Sequence, residues 1–348
     1  MRRGILSWNP LVKLALASGK VPTPLMEVFW GMGLARSVVA GVRLGLFETL
    51  RDAERTAPEI ATAIAADPRA TGTLLAALNG FGYLKRRRGR YRLAPAVRRW
   101  LLASSEGSVA ELTAFVGDLF QSVEPVEEAI RTGRLVNLHD RGQTREQWGH
   151  YVRGLGTLGK FMGAEVVGKV PVDRPPKRLL DVAGGHGMFS AAMCRRFPGL
   201  SCDVLDLPQA VEHGRAMIAQ AGLAERVRFR EGDLRQTDWG EAYDVVFLFN
   251  ILHNLAEEEC QVAVRKAAAA LRPGGTLAVV DSEHVGGEGD VSATAGFNEL
   301  FFFLISGSQA WPEPSIRGWL ESSGFTRIVR RKSLVLPNLL VLSARSRA

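Results

Sequence analysis

The sequence predicts an α/β protein in which a mostly parallel sheet, covered by helices on both faces, follows an all-helical N-terminal part. Three observations lead to this prediction. Beyond residue 176, short apolar strands alternate with helices, which is typical of a parallel sheet. At 348 residues the chain is longer than one core usually extends, which favours two domains. A Pro-rich stretch at residues 169–176 separates the two patterns, so we predict domains at 1–168 and 169–348.

The composition is that of an ordinary globular protein, with 46% hydrophobic and 23% charged residues. Residues 1–20 contain two early arginines, but Asn9-Pro10 and Lys13 interrupt the apolar stretches. We therefore expect neither a signal peptide nor a membrane span. The six histidines and three cysteines show no HxxxH or CxxC spacing, so we expect a reduced, cytoplasmic compartment and no bound metal. The cysteines are Cys194, Cys202 and Cys260.

The N-terminal part begins with apolar residues at helical spacing, which predict one or two long helices over residues 25–50. A capping box, Thr56-Ala57-Pro58-Glu59, opens a short helix, and a second helix follows at 71–81. Two strand-like pieces, 82–86 and 90–93, are joined by a turn at Gly89. Helix, helix and hairpin in this order are the plan of a winged helix.

The net charge of +8 is accounted for by the segment from Lys85 to Arg99, which contains this hairpin and has eight basic residues and no acid. A basic winged helix could bind DNA as a regulator. The helix at 71–80, however, has no Arg, Lys or Gln with which to read bases. In the alternative interpretation the helices pack in a dimer interface and the arginines are solvated or meet acids. We consider DNA binding the weaker of the two.

The second part begins with an apolar strand at 179–182, which turns on small residues into a helix at 189–196. Such a loop can cradle a nucleoside-bearing ligand, because glycine lets backbone and ligand approach closely. The next strand, 202–205, ends in Asp206, which is placed to accept hydrogen bonds from ribose hydroxyls. A tight turn without a ligand is the alternative for the loop.

The alternation continues to the end of the chain. We predict helices at 208–221, 256–271, 294–305 and 313–322, and strands at 227–230, 243–248, 276–281, 327–333 and 338–343. Ligands in such sheets bind outside the carboxyl ends of the strands. The loop at 183–187, the acids at 206, 233 and 281, and the segment 249–253 all fall at such ends.

Five segments carry a family resemblance: Leu180-Asp181-Val182-Ala183-Gly184-Gly185-His186-Gly187, Asp206-Leu207-Pro208, Glu231-Gly232-Asp233-Leu234, Ile251-Leu252-His253-Asn254-Leu255-Ala256-Glu257-Glu258-Glu259-Cys260 and Leu271-Arg272-Pro273-Gly274-Gly275. Their order and spacing resemble the motifs of S-adenosylmethionine-dependent O-methyltransferases of the caffeate/hydroxyindole type, whose bacterial members modify natural products. The resemblance covers nearly the whole chain. It implies a Rossmann-like class I methyltransferase domain, and an N-terminal winged-helix-like domain through which a homodimer forms.

Position by position, the resemblance implies a site for S-adenosylmethionine. The implied contacts, from the methionine part through the ribose to the adenine and the closing segment, are Ala183, Gly184, Gly185, Gly187, Asp206, Leu207, Asp233, Leu234, Phe249 and Asn250. Two of them have rival explanations, since Asp206 could cap the following helix and Asp233 could start a turn. The family usually has glycine where this chain has Ala183.

The resemblance also implies a general base, His253, because an imidazole can take the proton of a phenol or enol at neutral pH. A helix-capping or buried structural histidine is the alternative. Of the two acids that commonly flank this histidine, one matches Asp281 and the other falls at Ala310. Asn254 and Leu255 also depart from the usual pattern. Orientation of the base would therefore rest on Asp281 alone or on a residue outside the motifs.

The acceptor pocket implied by the resemblance is lined from two helices by Tyr151, Leu155, Phe297, Phe301 and Ile305, with Phe302 also at a matching position. Three consecutive phenylalanines cannot all face one way, so some must pack in the core. Such a lining favours a flat, apolar, small-molecule acceptor. The implied activity is methyl transfer to a hydroxyl of an aromatic or polyketide-like compound. Methylation of carbon or nitrogen, or a reaction other than methylation on the same scaffold, remain alternatives.

Overall fold

A computed structural model describes residues 20–135, 142–284, 292–333 and 338–347, together with Leu14, Ser18 and Leu138. Most of the first 20 residues, on which the expectation about a signal peptide falls, lie outside the described residues. The chain divides into two compact units, Met1–Gly117 and Asp118–Ala348.

The first unit consists of helices and one small sheet. Its helices are α1 (Thr23–Arg43), α2 (Leu46–Thr49), α3 (Ala57–Ala63), α4 (Pro68–Gly80), α5 (Pro95–Trp100) and the start of α6 (Ala110–Val123). The strands β1 (Arg55–Thr56), β2 (Leu84–Arg87) and β3 (Arg90–Leu93) pair antiparallel in the order β1-β3-β2. The sheet adds strands to a domain that the sequence predicts to be helical, and it contains the predicted hairpin.

Local capping explains where the short helices begin. Thr56 and Glu59 form the predicted capping box, in which the Thr56 amide donates to Glu59 Oε2 at 2.6 Å. Asp67 caps α4 by accepting from the Ala70 amide at 2.7 Å. These helices then bury apolar side chains with those of β2 and β3 in one core, which includes Phe47, Ile60, Leu75, Leu78 and Leu84.

Helix α1 leaves much of its apolar surface uncovered in the single chain. Among its large side chains, Leu25, Val28, Phe29 and Met32 are each more than 60% exposed. By length and composition alone, α1 is the one helix among the described residues that could cross a membrane. An exposed apolar face of this size indicates an interaction surface.

The exposed face of the β2–β3 hairpin is basic. The register opposes Lys85 to Arg92 and Arg87 to Arg90, while Leu84 and Leu93 turn inward. Like charges directly opposite each other destabilise a strand pair. Two acids offset this repulsion, since Glu59 lies 3.2 Å from the Arg90 guanidinium and Glu54 lies 3.8 Å from that of Arg92.

The second unit is the α/β domain. Its helices are the remainder of α6, α7 (Val126–Thr132), α8 (Arg145–Gly168), α9 (Met188–Arg196), α10 (Pro208–Gln220), α11 (Glu257–Ala270), α12 (Ala293–Ser306) and α13 (Glu313–Ser322). Its strands are β4 (Arg178–Val182), β5 (Ser201–Asp206), β6 (Val227–Glu231), β7 (Tyr243–Phe249), β8 (Leu271–Ser282), β9 (Thr326–Arg330) and β10 (Leu339–Arg345). A single 3-10 turn, Leu252–Asn254, follows β7.

One seven-stranded sheet organises this unit, in the order β6-β5-β4-β7-β8-β10-β9. The first five strands are parallel, and β10 runs antiparallel between β8 and β9. From β4 the strand order runs to one edge of the sheet through β5 and β6, whereas β7 and β8 lie on the other side of β4. The carboxyl ends of β4 and β7 therefore flank a topological switch point, where doubly wound sheets bind ligands.

Apolar side chains fill both faces of the sheet. Leu179 and Phe247 pack with α8, α9 and α10 on one face, whereas Leu180 and Leu248 pack with α11 and α13 on the other. Strands that are covered on both faces are apolar throughout, as the sequence pattern of β4 and β7 indicates.

The predicted boundary at residues 168/169 falls inside the second unit, at the end of α8. Glycines on α8 allow this helix to pack tightly against α9 and the loop before it. A Cβ added at Gly159 would lie 2.8 Å from His186 Cε1, and one added at Gly163 would lie 3.2 Å from Ala192 Cβ. Because α8 is packed into the core of the α/β unit, the division lies after Gly117 instead.

Candidate active site

The loop between β4 and α9 turns through left-handed conformations at Ala183, Gly185 and Gly187, with φ of 53°, 42° and 67°. Ala183 is the unusual one, because a Cβ disfavours this region, and its amide is held by the Leu205 carbonyl at 2.7 Å. Gly184 lies directly over a buried acid, since an added Cβ would be 2.5 Å from Asp181 Cγ. A larger residue at 184 would displace the loop.

Asp181 is that buried acid, which is not among the site residues that the sequence predicts. Its Oδ2 accepts a hydrogen bond from Ser190 Oγ at 2.7 Å, whereas Oδ1 has no partner among the described residues. Burial raises the pKa of Asp181 to about 7. An acid within the apolar strand 179–182 was the available signal, because such residues are rarely buried without a reason.

Asp206 joins the end of β5 to the glycine loop. Its Oδ2 accepts from the Gly185 amide and its Oδ1 from the Leu207 amide, both at 2.7 Å. Leu207, and not Asp206, is the N-cap residue of α10, so the rival explanation as a helix cap does not describe this carboxylate. Burial raises the pKa of Asp206 to about 6. Each oxygen keeps a lone pair with which to accept from a further donor.

Asp233 and Leu234 follow β6. Asp233 Oδ1 accepts from the Arg235 amide at 2.8 Å, so the residue does start a turn, as its rival explanation proposes. The Leu234 carbonyl accepts from Lys266 Nζ at 2.6 Å and from Trp239 Nε1 at 3.0 Å. Lys266 also donates to two further carbonyls of this turn, and burial lowers its pKa. Nothing in the alanine-rich sequence of α11 identified this lysine.

Phe249 and Asn250 differ in what they can present. The Phe249 ring is only 4% exposed and packs on Phe247 at 4.0 Å and edge-on to Phe189 at 5.2 Å. Asn250 is exposed, has a φ of 53°, and donates its amide to the Val280 carbonyl at 2.7 Å. Of the two, only Asn250 has a side chain free of the core.

His253 lies in the 3-10 turn beyond β7, beside the end of β8. Its Nδ1 is 2.5 Å from Asp281 Oδ1, and its amide donates to Asp281 Oδ2 at 3.3 Å. Both side chains are largely buried, with His253 8% and Asp281 2% exposed. A carboxylate at Nδ1 fixes the proton there, which leaves Nε2 as the basic nitrogen. Nε2 has no hydrogen-bond partner in the described part of the chain.

The other side of His253 is bounded by α12 and the turn after it. The Phe302 ring stacks on the imidazole, with ring centroids 3.9 Å apart and planes 18° apart. Three side chains of this segment donate to carbonyls of residues 252–255: Ser306 Oγ to His253 at 3.1 Å, Ser308 Oγ to Leu255 at 2.7 Å and Trp311 Nε1 to Leu252 at 3.0 Å. Ala310, the position expected for a second acid, is buried.

The predicted acceptor residues do not share one environment. Phe297 is 58% exposed and stacks on Phe301 at 5.6 Å, whereas Ile305 is buried. Leu155 is half-buried on α8. Tyr151 contacts Trp148 edge-on and lies close enough to Asp206 that burial and this negative charge raise the tyrosine pKa. The three phenylalanines of α12 face different ways, as predicted, since only Phe302 is buried.

The carboxyl edge of the sheet thus presents a compact donor and acceptor set. Small residues form a cradle after β4, while Asp206 and Asp233 follow the two neighbouring strands. This arrangement fits a nucleoside that carries an amino-acid part. No cluster of three or more His, Cys, Asp or Glu side chains suited to a metal ion occurs among the described residues.

Comparison with known proteins gives the family. The model of the O-methyltransferase domain matches residues 111–326, and that of the O-methyltransferase dimerisation domain matches residues 26–104. The 3-hydroxy-5-methyl-1-naphthoate 3-O-methyltransferase of Streptomyces sahachiroi is 27% identical over 274 residues, covering 74% of this chain and 76% of that protein. The L-tyrosine C(3)-methyltransferase of Streptomyces lavendulae is 25% identical over 307 residues, covering 83% and 82%.

Solved structures share the fold. Human N-acetylserotonin methyltransferase in complex with SAM superposes with a TM-score of 0.81 at 19% identity, covering 98% of this chain and 99% of that chain. The family models together cover most of the sequence, and the first of them alone spans more than half of it. The chain therefore belongs to the O-methyltransferase family.

Proposed function

We propose that this methyltransferase transfers a methyl group from S-adenosylmethionine to a hydroxyl of a small aromatic or polyketide-like acceptor, with His253 as the general base. The observation that carries the proposal is the His253–Asp281 pair, in which Nδ1 is bound by a carboxylate and Nε2 has no partner among the residues that the structure describes. Membership of the O-methyltransferase family supplies the class of reaction.

The cofactor would lie along the carboxyl edge of β4, β5 and β6. Ala183, Gly184, Gly185 and Gly187 would follow its methionine part, Asp206 and Leu207 its ribose, and Asp233 and Leu234 its adenine. When bound, S-adenosylmethionine supplies a methyl group activated by a sulfonium. Asp206 is suited to its role because its carboxylate is held by two amides and still has lone pairs for ribose hydroxyls. Asn250 would close the site, and Phe249 would contribute its backbone.

His253 would take the proton of the acceptor hydroxyl at Nε2 while the acceptor oxygen forms its bond to the methyl carbon and the carbon–sulfur bond breaks. Asp281 would stabilise the imidazolium that results, because its Oδ1 accepts from Nδ1. The products are the methyl ether and S-adenosylhomocysteine, and the proton leaves Nε2 for solvent. The scheme calls for no metal ion, since the histidine takes the proton that a cation would otherwise help to remove.

The acceptor would lie beside α8 and α12, against Tyr151, Leu155, Phe297, Phe301 and Ile305. The exposed, stacked pair Phe297 and Phe301 supports a flat apolar acceptor, because aromatic rings stack favourably on one another. Ile305 is buried, so it would shape this wall from behind.

The N-terminal unit would form a homodimer. Two observations support this part of the proposal: the dimerisation-domain match over residues 26–104 and the exposed apolar side chains of α1. Cys194, Cys202 and Cys260 are free thiols, which supports a reduced, cytoplasmic compartment. Binding of nucleic acid is not part of the proposal.

Methylation of an aromatic carbon is a second candidate, favoured by the similarity to the L-tyrosine C(3)-methyltransferase. Deprotonation of a phenol by the same histidine would also activate the neighbouring ring carbon. The two reactions differ in the product, because O-methylation removes the phenolic proton permanently and C-methylation restores it.

The test compares His253→Gln with the parent protein. We expect binding of S-adenosylhomocysteine, measured by calorimetry, to be unchanged, and turnover on a panel of phenols to fall about 100-fold or more. Asp206→Ala should instead lose most of the calorimetric binding. His213→Gln, which changes a histidine on α10 whose Nε2 lies 3.1 Å from the Arg145 carbonyl, is the matched control and should retain turnover. Full turnover by His253→Gln would disprove the base role, and NMR of the product separates O- from C-methylation.

A further inference from the structure

The environment of His253 departs from that of a base held between two acids. In the described part of the chain one carboxylate, Asp281, contacts its ring, and Ala310 stands where the second acid is expected. The ring of Phe302 covers one face of the imidazole at 3.9 Å and nearly parallel to it. The imidazole of His253 is therefore contacted by one carboxylate, at its edge, and by one aromatic ring, on its face.

The turn after α12 acts on the backbone of this histidine and not on its ring. Ser306, Ser308 and Trp311 each donate to a carbonyl of the segment 252–255. These bonds fix where the 3-10 turn lies, but they leave the imidazole free to rotate about its side-chain bonds. Rotation is opposed by Asp281 at one edge of the ring and by Phe302 against its face.

Among the described residues, one charged side chain contacts His253, and one turn before Phe302 helix α12 carries Glu299, which lies 2.9 Å from His284 Nδ1. Asp281 comes from β8, and α11 brings the thiol of Cys260, whose pKa is raised by burial. Helix α12 and the turn beyond it bring Phe302, Ser306, Ser308 and Trp311, none of which is charged. In so apolar a setting, the face of a benzene ring attracts a cation more strongly than it does in water.

We propose that Phe302 is a positioning residue for His253, whose ring face holds the imidazole in line with the acceptor and stabilises the imidazolium formed on proton transfer. The inference rests on the proposed role of His253 as base. Phe302 thus takes over part of what a second acid would do, without adding a negative charge that would have to be desolvated next to the acceptor.

The test replaces the ring and follows protonation of His253 directly. In the S-adenosylhomocysteine complex, the six histidines are titrated by NMR on protein labelled with ¹⁵N-histidine, and His253→Gln assigns the signal. In Phe302→Leu we expect the pKa of His253 to fall by about half a unit, because the imidazolium loses its aromatic face. Phe302→Tyr keeps the aromatic face and should leave the pKa of His253 at the parent value. Phe303→Leu removes a neighbouring ring that does not stack on His253, and it is the matched control.

The pH profile of turnover provides the second readout. The acid limb of kcat should move to lower pH with the pKa of His253, and the plateau should fall about threefold or more, since the base is weaker and less well held. An unmoved NMR pKa and acid limb, with only the plateau reduced, would mean that Phe302 merely fills space. Should Phe302→Leu lose S-adenosylhomocysteine binding, Phe302→Met keeps more of the side-chain length without an aromatic face.

The two failures are distinguishable. If His253→Gln keeps full turnover, the base assignment is wrong, yet the NMR titration still reports whether Phe302 raises the pKa of His253. If His253→Gln is inactive and the titration of Phe302→Leu is unchanged, the base assignment stands and the role of Phe302 is overturned.

Discussion

Asp181 places a carboxyl group in the interior of the sheet, and its burial lowers the free energy of unfolding by an amount that depends on pH. Its pKa is raised by burial to about 7 in the folded protein, against 3.8 when unperturbed. Between these values the folded state binds more protons than the unfolded state, so the free energy of unfolding falls as the pH rises from about 4 to 7. Asp206, with a pKa raised to about 6, acts in the same direction.

Replacement of Asp181 by Asn should therefore flatten the pH dependence of stability. Asparagine can still accept from Ser190 but does not ionise, so its carboxamide carries no charge to bury. We expect the loss of unfolding free energy between pH 4.5 and 7.5 to shrink by about 2 kcal/mol. Urea denaturation at several pH values measures this change in unfolding free energy, and Asp52→Asn, at an exposed position, is the control. A slope equal to that of the parent would mean that Asp181 is already ionised throughout this range.

The motifs predicted candidate residues that the fold brings together, although Asp181 lies within a motif and was not recognised as a site residue. The motifs contain His253, Asp206 and the glycine loop, and the structure places all of them at the same edge of the sheet. Phe302 contacts His253, which lies 49 residues before it in the sequence. Lys266 contacts Leu234, which lies 32 residues before it. Such contacts follow from how helices pack on the sheet, which no local pattern encodes.

At the scale of elements, α8 packs on the loop after β4 and carries the predicted acceptor residues Tyr151 and Leu155. The close approach at Gly159 is possible because glycine has no Cβ, and His186 of the loop occupies the space. Gly159→Ala should push the helix and the loop apart and weaken S-adenosylhomocysteine binding about tenfold, which calorimetry measures. Gly168→Ala, on the same helix with nothing within 4 Å of the added Cβ, should bind like the parent. Equal binding by both variants would contradict the close packing.

Most elements of the α/β unit were predicted to within one or two residues, because strands and helices differ in period there. Helix α9 was expected at 189–196 and occupies Met188–Arg196. Strand β8 was expected at 276–281 but begins at Leu271. The segment Pro273-Gly274-Gly275 is typical of a turn, and it is instead a bulge between Leu271, which pairs with Tyr243, and Thr276, which pairs with Val245.

For the whole molecule, the exposed apolar face of α1 determines the expected assembly. Phe29→Glu should place a charge in the middle of the proposed dimer interface and shift the protein from dimer to monomer. Light scattering coupled to size exclusion measures this shift, with Glu27→Gln on the same helix as control. A dimer that persists in Phe29→Glu would move the interface away from α1.

Domain organisation was predictable in kind, but the boundary was not. The composition break at 169–176 is real, yet α8 before it packs on α9 and α10. Helix α8 packs in the α/β unit although it precedes the first strand of that sheet in the sequence. The apolar pattern of the helix does not show which unit it packs against. Only the glycines of α8 indicated a close partner, and they do not identify it.

Strand β10 is the last strand along the chain, yet it lies between β8 and β9. During synthesis on the ribosome, β8 therefore has a partner on one side only until residues 339–345 have emerged. Until then its other edge, which leads to Asp281, presents unpaired amides and carbonyls to any neighbouring nascent chain. A chain cut short before this strand would have every motif of the predicted site and an open sheet edge, and we expect such a chain to aggregate or to bind chaperones.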